Sequence, residues 1–221
     1  MPKDIKEQIK VLFNQVGEKS IANQLQKLND LFLTQYKLKI DNIEIIPLET
    51  EIYYFNEKHP FKDKMIHKTP EQKNNFGKLY FHKRGGYYGG VDICLSEENY
   101  YLSILLRSAI VNSISIWGPN RVKRQFYNEA LLPIEIQEII SKLTNKTNIL
   151  FKRDKYINTS NIYHQKRIQG KAYKEGEIYK LNSLNLGEKI NGKYQYLKEI
   201  KHNFYSLKRK QEIINNFEIR G

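Results

Sequence analysis

Two segments decide how this chain is read: GKLYFHKRGGYYGGVDICL at Gly77–Leu95 and YYLSILLRSAIV at Tyr100–Val111. Short apolar runs rich in β-branched and aromatic residues are broken by glycine pairs, the grammar of strands joined by turns. The pattern predicts strands at KLYFHK, VDICL and YLSILLRSAIV, the last apolar enough to lie at the centre of a sheet. GGYYGG between the first two reads as a flexible turn. Along these strands stand groups able to do chemistry: Tyr80, His82, Arg84, Asp92 and Arg107.

Upstream, LETEIYYF (Leu48–Phe55) is another strand, and its two-residue period places Glu49, Glu51 and Tyr53 on one face. Two carboxylates and an aromatic on a strand face are a poor choice for core and a reasonable one for a site. Leu38 and Ile40, then Ile43 and Ile45, alternate as in a hairpin turning at Asp41-Asn42, with Pro47 ending the pairing. Further back, Ile5, Ile9, Leu12, Phe13 and Val16 fall at helical spacing up to Gly17. Ile21, Leu25, Leu28 and Phe32 form the stripe of a second helix that starts near Ser20.

Downstream of LETEIYYF, the polar stretch 56–76, with Pro60 and Pro70, reads as a loop over the site. WGPNRVKRQFYNEA switches to a helix that starts at Pro119, and PIEIQEIISKL is another with Pro133 in its first turn. The lysine-rich segment 145–195 hints at a strand over Asn161–Ile168, and Leu197–Phe217 returns to helical spacing. No repeat or low-complexity linker divides the chain. One α+β domain is expected: a helical segment at about 4–35, a pocket core at 36–130 and a basic part at 131–221.

Charge narrows the partner. Thirty-seven Lys and Arg against 24 Asp and Glu give a net charge of +13 and a pI near 9.5. A domain this basic favours polyanions, nucleic acid above all. A lysine-rich surface inherited from an AT-rich genome is the plainer reading. Sixteen Tyr, ten Phe and one Trp supply flat faces for stacking, although most will be core or strand residues. The single cysteine, Cys94, leaves no intramolecular disulfide and fits a reducing compartment. MPKDIKEQIK has no apolar signal core, and no run is long enough to span a membrane, so a cytoplasmic protein is expected.

Several chemistries find no support. The histidines and Cys94 include no closely spaced ligand pair, so no metal is expected. GGYYGG lacks the lysine and hydroxyl of a phosphate loop, and no GxSxG marks a hydrolase nucleophile. Carboxylates, arginines and aromatics in strand context remain.

LETEIY at 48–53, GKLYFH at 77–82, VDI at 91–93, ILLRS at 104–108 and GPNRV at 118–122 occur in one order. That order resembles the alkyladenine (3-methyladenine) DNA glycosylase family, and IANQLQKLNDLFL resembles the helix before the family's first hairpin. The resemblance implies a single domain with a mixed or antiparallel curved sheet flanked by helices. It also implies a monofunctional, cofactor-free enzyme that acts as a monomer on double-stranded DNA. Glu51 matches the general base that activates water, and Arg107 an arginine near that water. Tyr53 and His82 match aromatics that sandwich a flipped base, with Tyr80 and Tyr87 nearby and His59 or His67 matching a pocket histidine. GPNRV at a helix start resembles a phosphate contact site, so Asn120, Arg121 and Lys123 are expected to hold DNA together with Arg84, Gly85 and Gly86.

The departures bear on substrate. The family's wedging tyrosine falls on Gly85, with Tyr87, Tyr88 or Arg84 as neighbours able to replace it. Its pocket asparagine becomes Asp92, which reads or protonates the leaving base and, as an acceptor, suits a cytosine amino group. The glycine pairs predict a roomier pocket. A bulky modified base, such as glucosylated cytosine in phage DNA, is therefore expected, with an antiviral role. The alternatives are repair of alkylated purines, a metal-dependent nuclease, or a non-catalytic nucleic-acid-binding protein on the same scaffold. Individually, Asp92 fits a turn cap, Arg107 a buried partner of Glu49 or Glu51, and Tyr53 and Tyr80 plain strand aromatics.

Overall fold

A computed structural model describes residues 3–82, 89–129, 136–146, 148–167, 179–196, 199 and 211. Helices α1 (Lys3–Phe13) and α2 (Glu18–Gln35) come first and bury most of the expected stripes, with Phe13 at the end of α1 left 36% exposed. Ile5, Ile9 and Leu12 are inside, as are Ile21, Leu25, Leu28 and Phe32. Val16 departs from its stripe and is 90% exposed, because α1 stops at Phe13 and the helical period ends there.

Strands β1 (Tyr36–Ile40) and β2 (Ile43–Phe55) form the predicted hairpin, with Ile40 opposite Ile43 and Asp41 in the left-handed region at φ 52°. Pro47 does not end a strand. Pairing with β1 stops at Leu38 opposite Ile45, but β2 runs on to Phe55. Proline fits there because the ladder skips a residue just after it, between Pro47 and Glu49.

A short helix, α3 (Pro70–Asn74), interrupts the predicted loop. Then come β3 (Leu79–Phe81), β4 (Val91–Cys94), β5 (Tyr101–Val111), β6 (Ile114–Trp117), α4 (Pro119–Glu129) and α5 (Ile136–Thr144). The later strands are β7 (Leu150–Lys152), β8 (Ile162–Gln165), β9 (Asn182–Asn185) and the small hairpin β10 (Lys189–Ile190) and β11 (Lys193–Tyr194). The turn at 83–88, the segment around Pro133 and the helical spacing of Leu197–Phe217 lie outside the described residues.

The main sheet runs β3-β4-β5-β2-β1-β7, with β6 also on β5 and β9, itself joined to β8, also on β2. Every pairing among the described residues is antiparallel. The fold is α+β, a single domain whose antiparallel sheet curls into a half-barrel beside its helices. Ile52 and Tyr54 of β2, Ile93 of β4 and Ile104 and Leu106 of β5 share one core cluster with α1 and α2. The alternate residues of those strands therefore face the other way, which frees a sheet face for polar groups. Cys94 is buried, and burial pushes its thiol up. No helix among the described residues is long and apolar enough to cross a membrane.

The difference between Leu25 and Val16 is measurable. Leu25→Ala is expected to destabilise the fold by about 2–5 kcal/mol, and Val16→Ala by no more than about 0.5 kcal/mol, in urea unfolding followed by circular dichroism.

Candidate functional site

On the face turned away from α1 and α2, one cross-strand row links six strands. Tyr80 of β3 stands opposite Asp92 of β4, Asp92 opposite Leu105 of β5, and Leu105 opposite Glu51 of β2. Glu51 stands opposite Asn182 of β9, and Asn182 opposite Gln165 of β8. Apart from Leu105 the row is polar, and its groups form two centres.

The first centre is a buried charge cluster. Glu49 and Glu51 are each 1% exposed. The β2–β5 ladder skips Leu48 on one strand and Arg107 on the other, and the irregularity aims Arg107 at both carboxyl groups. Its Nε donates to Glu49 Oε1 at 3.2 Å, and a terminal guanidinium nitrogen lies 3.3 Å from Glu51 Oε1. Asn182 Nδ2 donates to the same two oxygens, at 3.1 and 3.4 Å. Gln165 Nε2 donates to Asn182 Oδ1 and so fixes that amide, while Ser108 Oγ donates to Glu49 Oε2 at 3.2 Å.

Tyr53 completes it, its hydroxyl donating to Glu51 Oε2 at 2.6 Å. Burial foremost, and then the Glu51 charge, hold its phenol well above the ordinary value, so Tyr53 remains a neutral donor. Arg167 lies over the Tyr53 ring at 4.3 Å and pairs with the buried Asp63 at 2.8 Å. Asp63 in turn accepts the Met65 N–H at 2.9 Å, tying the covering loop to β8 through Arg167.

The second centre is Asp92, 3% exposed. Its Oδ2 accepts from Gln72 Nε2 at 3.2 Å and from Ser103 Oγ at 3.0 Å. Its Oδ1 faces His82 Nε2 at 2.8 Å. The Gln72 amide is oriented by its own oxygen, which accepts the Lys68 N–H at 3.1 Å, and the Gln72 N–H donates to Thr69 Oγ1, the cap of α3. The His67 ring lies 4.4 Å from the His82 ring, and Tyr80 hydroxyl meets His67 Nδ1 at 3.1 Å.

A cleft of about 280 Å³ lies between the two centres, with Glu51, Tyr53 and Arg107 on one side and His67, His82 and Asp92 on the other. Gly89 and Gly90 close one wall for reasons of packing rather than spaciousness. A Cβ on Gly90 would stand 2.3 Å from Leu105 Cδ1, and Gly89 has φ +90° against His82. The expected extra room is not what these two glycines provide.

Of the expected site residues, Glu51, Tyr53, His82, Asp92, Arg107 and Asn120 line the cleft. Tyr80 is 4% exposed and stands beside it, behind His67. His59 is elsewhere: its Nδ1 meets the Tyr54 hydroxyl at 3.0 Å, and Tyr54 points into the helix-side core, so His67 is the histidine of this cleft. Arg121 is exposed at the start of α4, where Asn120 Oδ1 accepts the Gly89 N–H at 2.8 Å. Lys123, expected to contact DNA, is 1% exposed and donates to the His82 carbonyl at 2.8 Å. Burial lowers its pKa, so its ammonium supports the cleft wall instead of facing a polyanion. Arg84, Gly85, Gly86 and Tyr87 lie outside the described residues.

Gln72, Ser103, Gln165, Asn182, Asp63 and Arg167 have no place in the sequence reading. Only Gln72 had a signal: Thr69-x-x-Gln72 after a loop is a capping box. No group of three or more His, Cys, Asp or Glu able to hold a metal occurs among the described residues. The chain matches no protein-family model and no curated protein.

The cluster makes a sharp stability prediction. Arg107→Leu leaves two buried carboxyl groups with neutral donors alone and should cost about 3–5 kcal/mol. Adding Glu49→Gln should recover part of that loss. Urea midpoints unchanged by Arg107→Leu would show that the ion cluster does not hold the sheet.

Proposed function

We propose that the protein is a monofunctional DNA glycosylase, which takes a modified base out of the duplex and hydrolyses its N-glycosidic bond to leave an abasic site. The observation behind this reading is Glu51, a buried carboxyl group that opens on a cleft while Arg107, Tyr53 and Asn182 fix its orientation. A carboxylate so placed suits a reaction that builds positive charge on a sugar ring. It stabilises the oxocarbenium-like centre and takes a proton from the attacking water. Glu49, held by Arg107, Ser108 and Asn182, serves as the support behind it.

Extruding a base costs a few kcal/mol. Stacking returns about 1–3 kcal/mol per base, and the His67 ring offers a face for it at the cleft. Arg167 already covers one face of Tyr53, which leaves that ring to orient Glu51 first and to stack second. The net charge of +13 supplies attraction to DNA, with Asn120 and the exposed Arg121 at the cleft rim. A plain binding module has no use for two carboxyl groups buried at this cost beside a cleft. No cofactor enters the scheme.

For the substrate, the polar wall that His82 and Asp92 give the cleft suits a base with an exocyclic amino group, as cytosine has. Glucosylated cytosine in phage DNA is the leading case, and it would make the enzyme antiviral. Repair of alkylated purines is the competing reading.

Glu51→Gln is expected to lower base release by about 10²–10⁴-fold while DNA binding stays within about threefold of wild type, a difference far below one step of that loss. The measurement is mass spectrometry of bases released from glucosylated phage DNA, alkylated DNA and unmodified DNA. Full activity in Glu51→Gln would sink the assignment, and release from alkylated DNA alone would favour repair over defence.

A further inference from the structure

Asp92 is almost enclosed, and each of its oxygens takes up a neighbouring side chain. Oδ2 receives Gln72 and Ser103, and Oδ1 faces His82. The amide of Gln72 is pinned by the Lys68 N–H, so its NH₂ end faces Asp92, and Asp92 acts as an acceptor throughout. The hydrogen of the 2.8 Å contact then belongs to His82 Nε2. That fixes the tautomer of a ring lining the cleft and leaves Nδ1 as its second proton site.

The geometry points to His82 as the general acid of the reaction, delivering a proton from Nδ1 to the departing base, with Asp92 as the residue that positions it. The arrangement has the logic of a carboxylate–imidazole pair: the carboxylate orients the ring without giving up a proton itself. This step rests on the glycosylase reading and deepens it. The C1′–N bond breaks with its electron pair going to the base, and the imidazolium proton passes to a base nitrogen or carbonyl oxygen. Water adds its oxygen to C1′ and gives its proton to Glu51, and solvent returns that proton to His82. One water is consumed, and one free base and one abasic sugar are formed, with no change in oxidation state. Such a proton assists the departure of a neutral cytosine, whose anion is a poor leaving group.

The charged and titratable groups around His82 are Asp92 on β4, Tyr80 on β3, His67 in the covering loop, and Lys123 of α4 at its carbonyl. Glu51 and Arg107 face it across the cleft. A general acid has to be protonated to work, so the single-turnover rate of wild type should fall on the alkaline side. His82→Gln, which keeps a donor for Asp92, should be slower by about 10²-fold or more and should lose that alkaline fall. Asp92→Asn loses an acceptor that orients the ring and should slow base release by about 10-fold or more, and Asp92→Glu, which keeps a carboxylate, should recover part of that rate.

The assay is base release across pH on whichever modified DNA wild type cleaves, with urea unfolding of each variant as the check on folding. A wild-type profile without an alkaline fall, or one retained unchanged in His82→Gln, overturns this role and leaves the glycosylase reading standing. No base released by wild type from any modified DNA removes that reading and this step together.

Discussion

Two carboxyl groups on alternate residues of β2 must share one face of the sheet, and here that face is closed to water. Burying them is costly unless a cation and donors arrive together. A regular ladder would hold β5 in even register along its whole length. Instead the pairing slips past Leu48 on one strand and past Arg107 on the other, and the two slips cancel. The register is therefore the same at both ends of the β2–β5 ladder, from Ile45 opposite Val111 to Phe55 opposite Tyr101. The local irregularity delivers a guanidinium to Glu49 and Glu51 without disturbing the apolar pairs that hold the helices. Everything else on that face follows from this compensation.

Beyond the irregularity the strands are in phase again, which aligns Leu105 and Asp92 with Glu51. Leu105 separates the two polar centres, and it can lie flat only because Gly90 offers no side chain. An apolar spacer between the Glu51 centre and the Asp92–His82 centre keeps the two from bonding to each other. Direct contact between Glu51 and His82 would fix both protons in a single bond and leave neither group for a ligand.

Much of this was legible in the chain itself. The helical stripes, the hairpin at Asp41-Asn42, the central strand at Tyr101–Val111 and the Pro119 helix start all rest on local periodicity and turn chemistry, and these survive folding unchanged. The face shared by Glu49, Glu51 and Tyr53 followed from the strand period. Asn182 and Gln165 were not legible, since neutral amides in a lysine-rich stretch carry no local signal and gain meaning only from pairing with a distant strand. Lys123 misled for the opposite reason: its neighbours are basic and polar, yet helix geometry turns it inward. Val16 shows how one residue past a helix end reverses the exposure that a stripe implies.

The amide beneath the carboxyl groups also sets an order of assembly. Asn182 lies 133 residues after Glu49, and β9 reaches β2 only after every strand from β3 to β8 has been made. During synthesis β5 can dock first, so the nascent sheet holds two carboxyl groups with Arg107, Tyr53 and Ser108 but without the Asn182 amide until β9 arrives. Contacts so remote in sequence form late and slow the search. Completion of the site is thereby coupled to completion of the chain, because a nascent sheet without β9 has Glu51 present but lacks the Asn182 amide that helps to hold it.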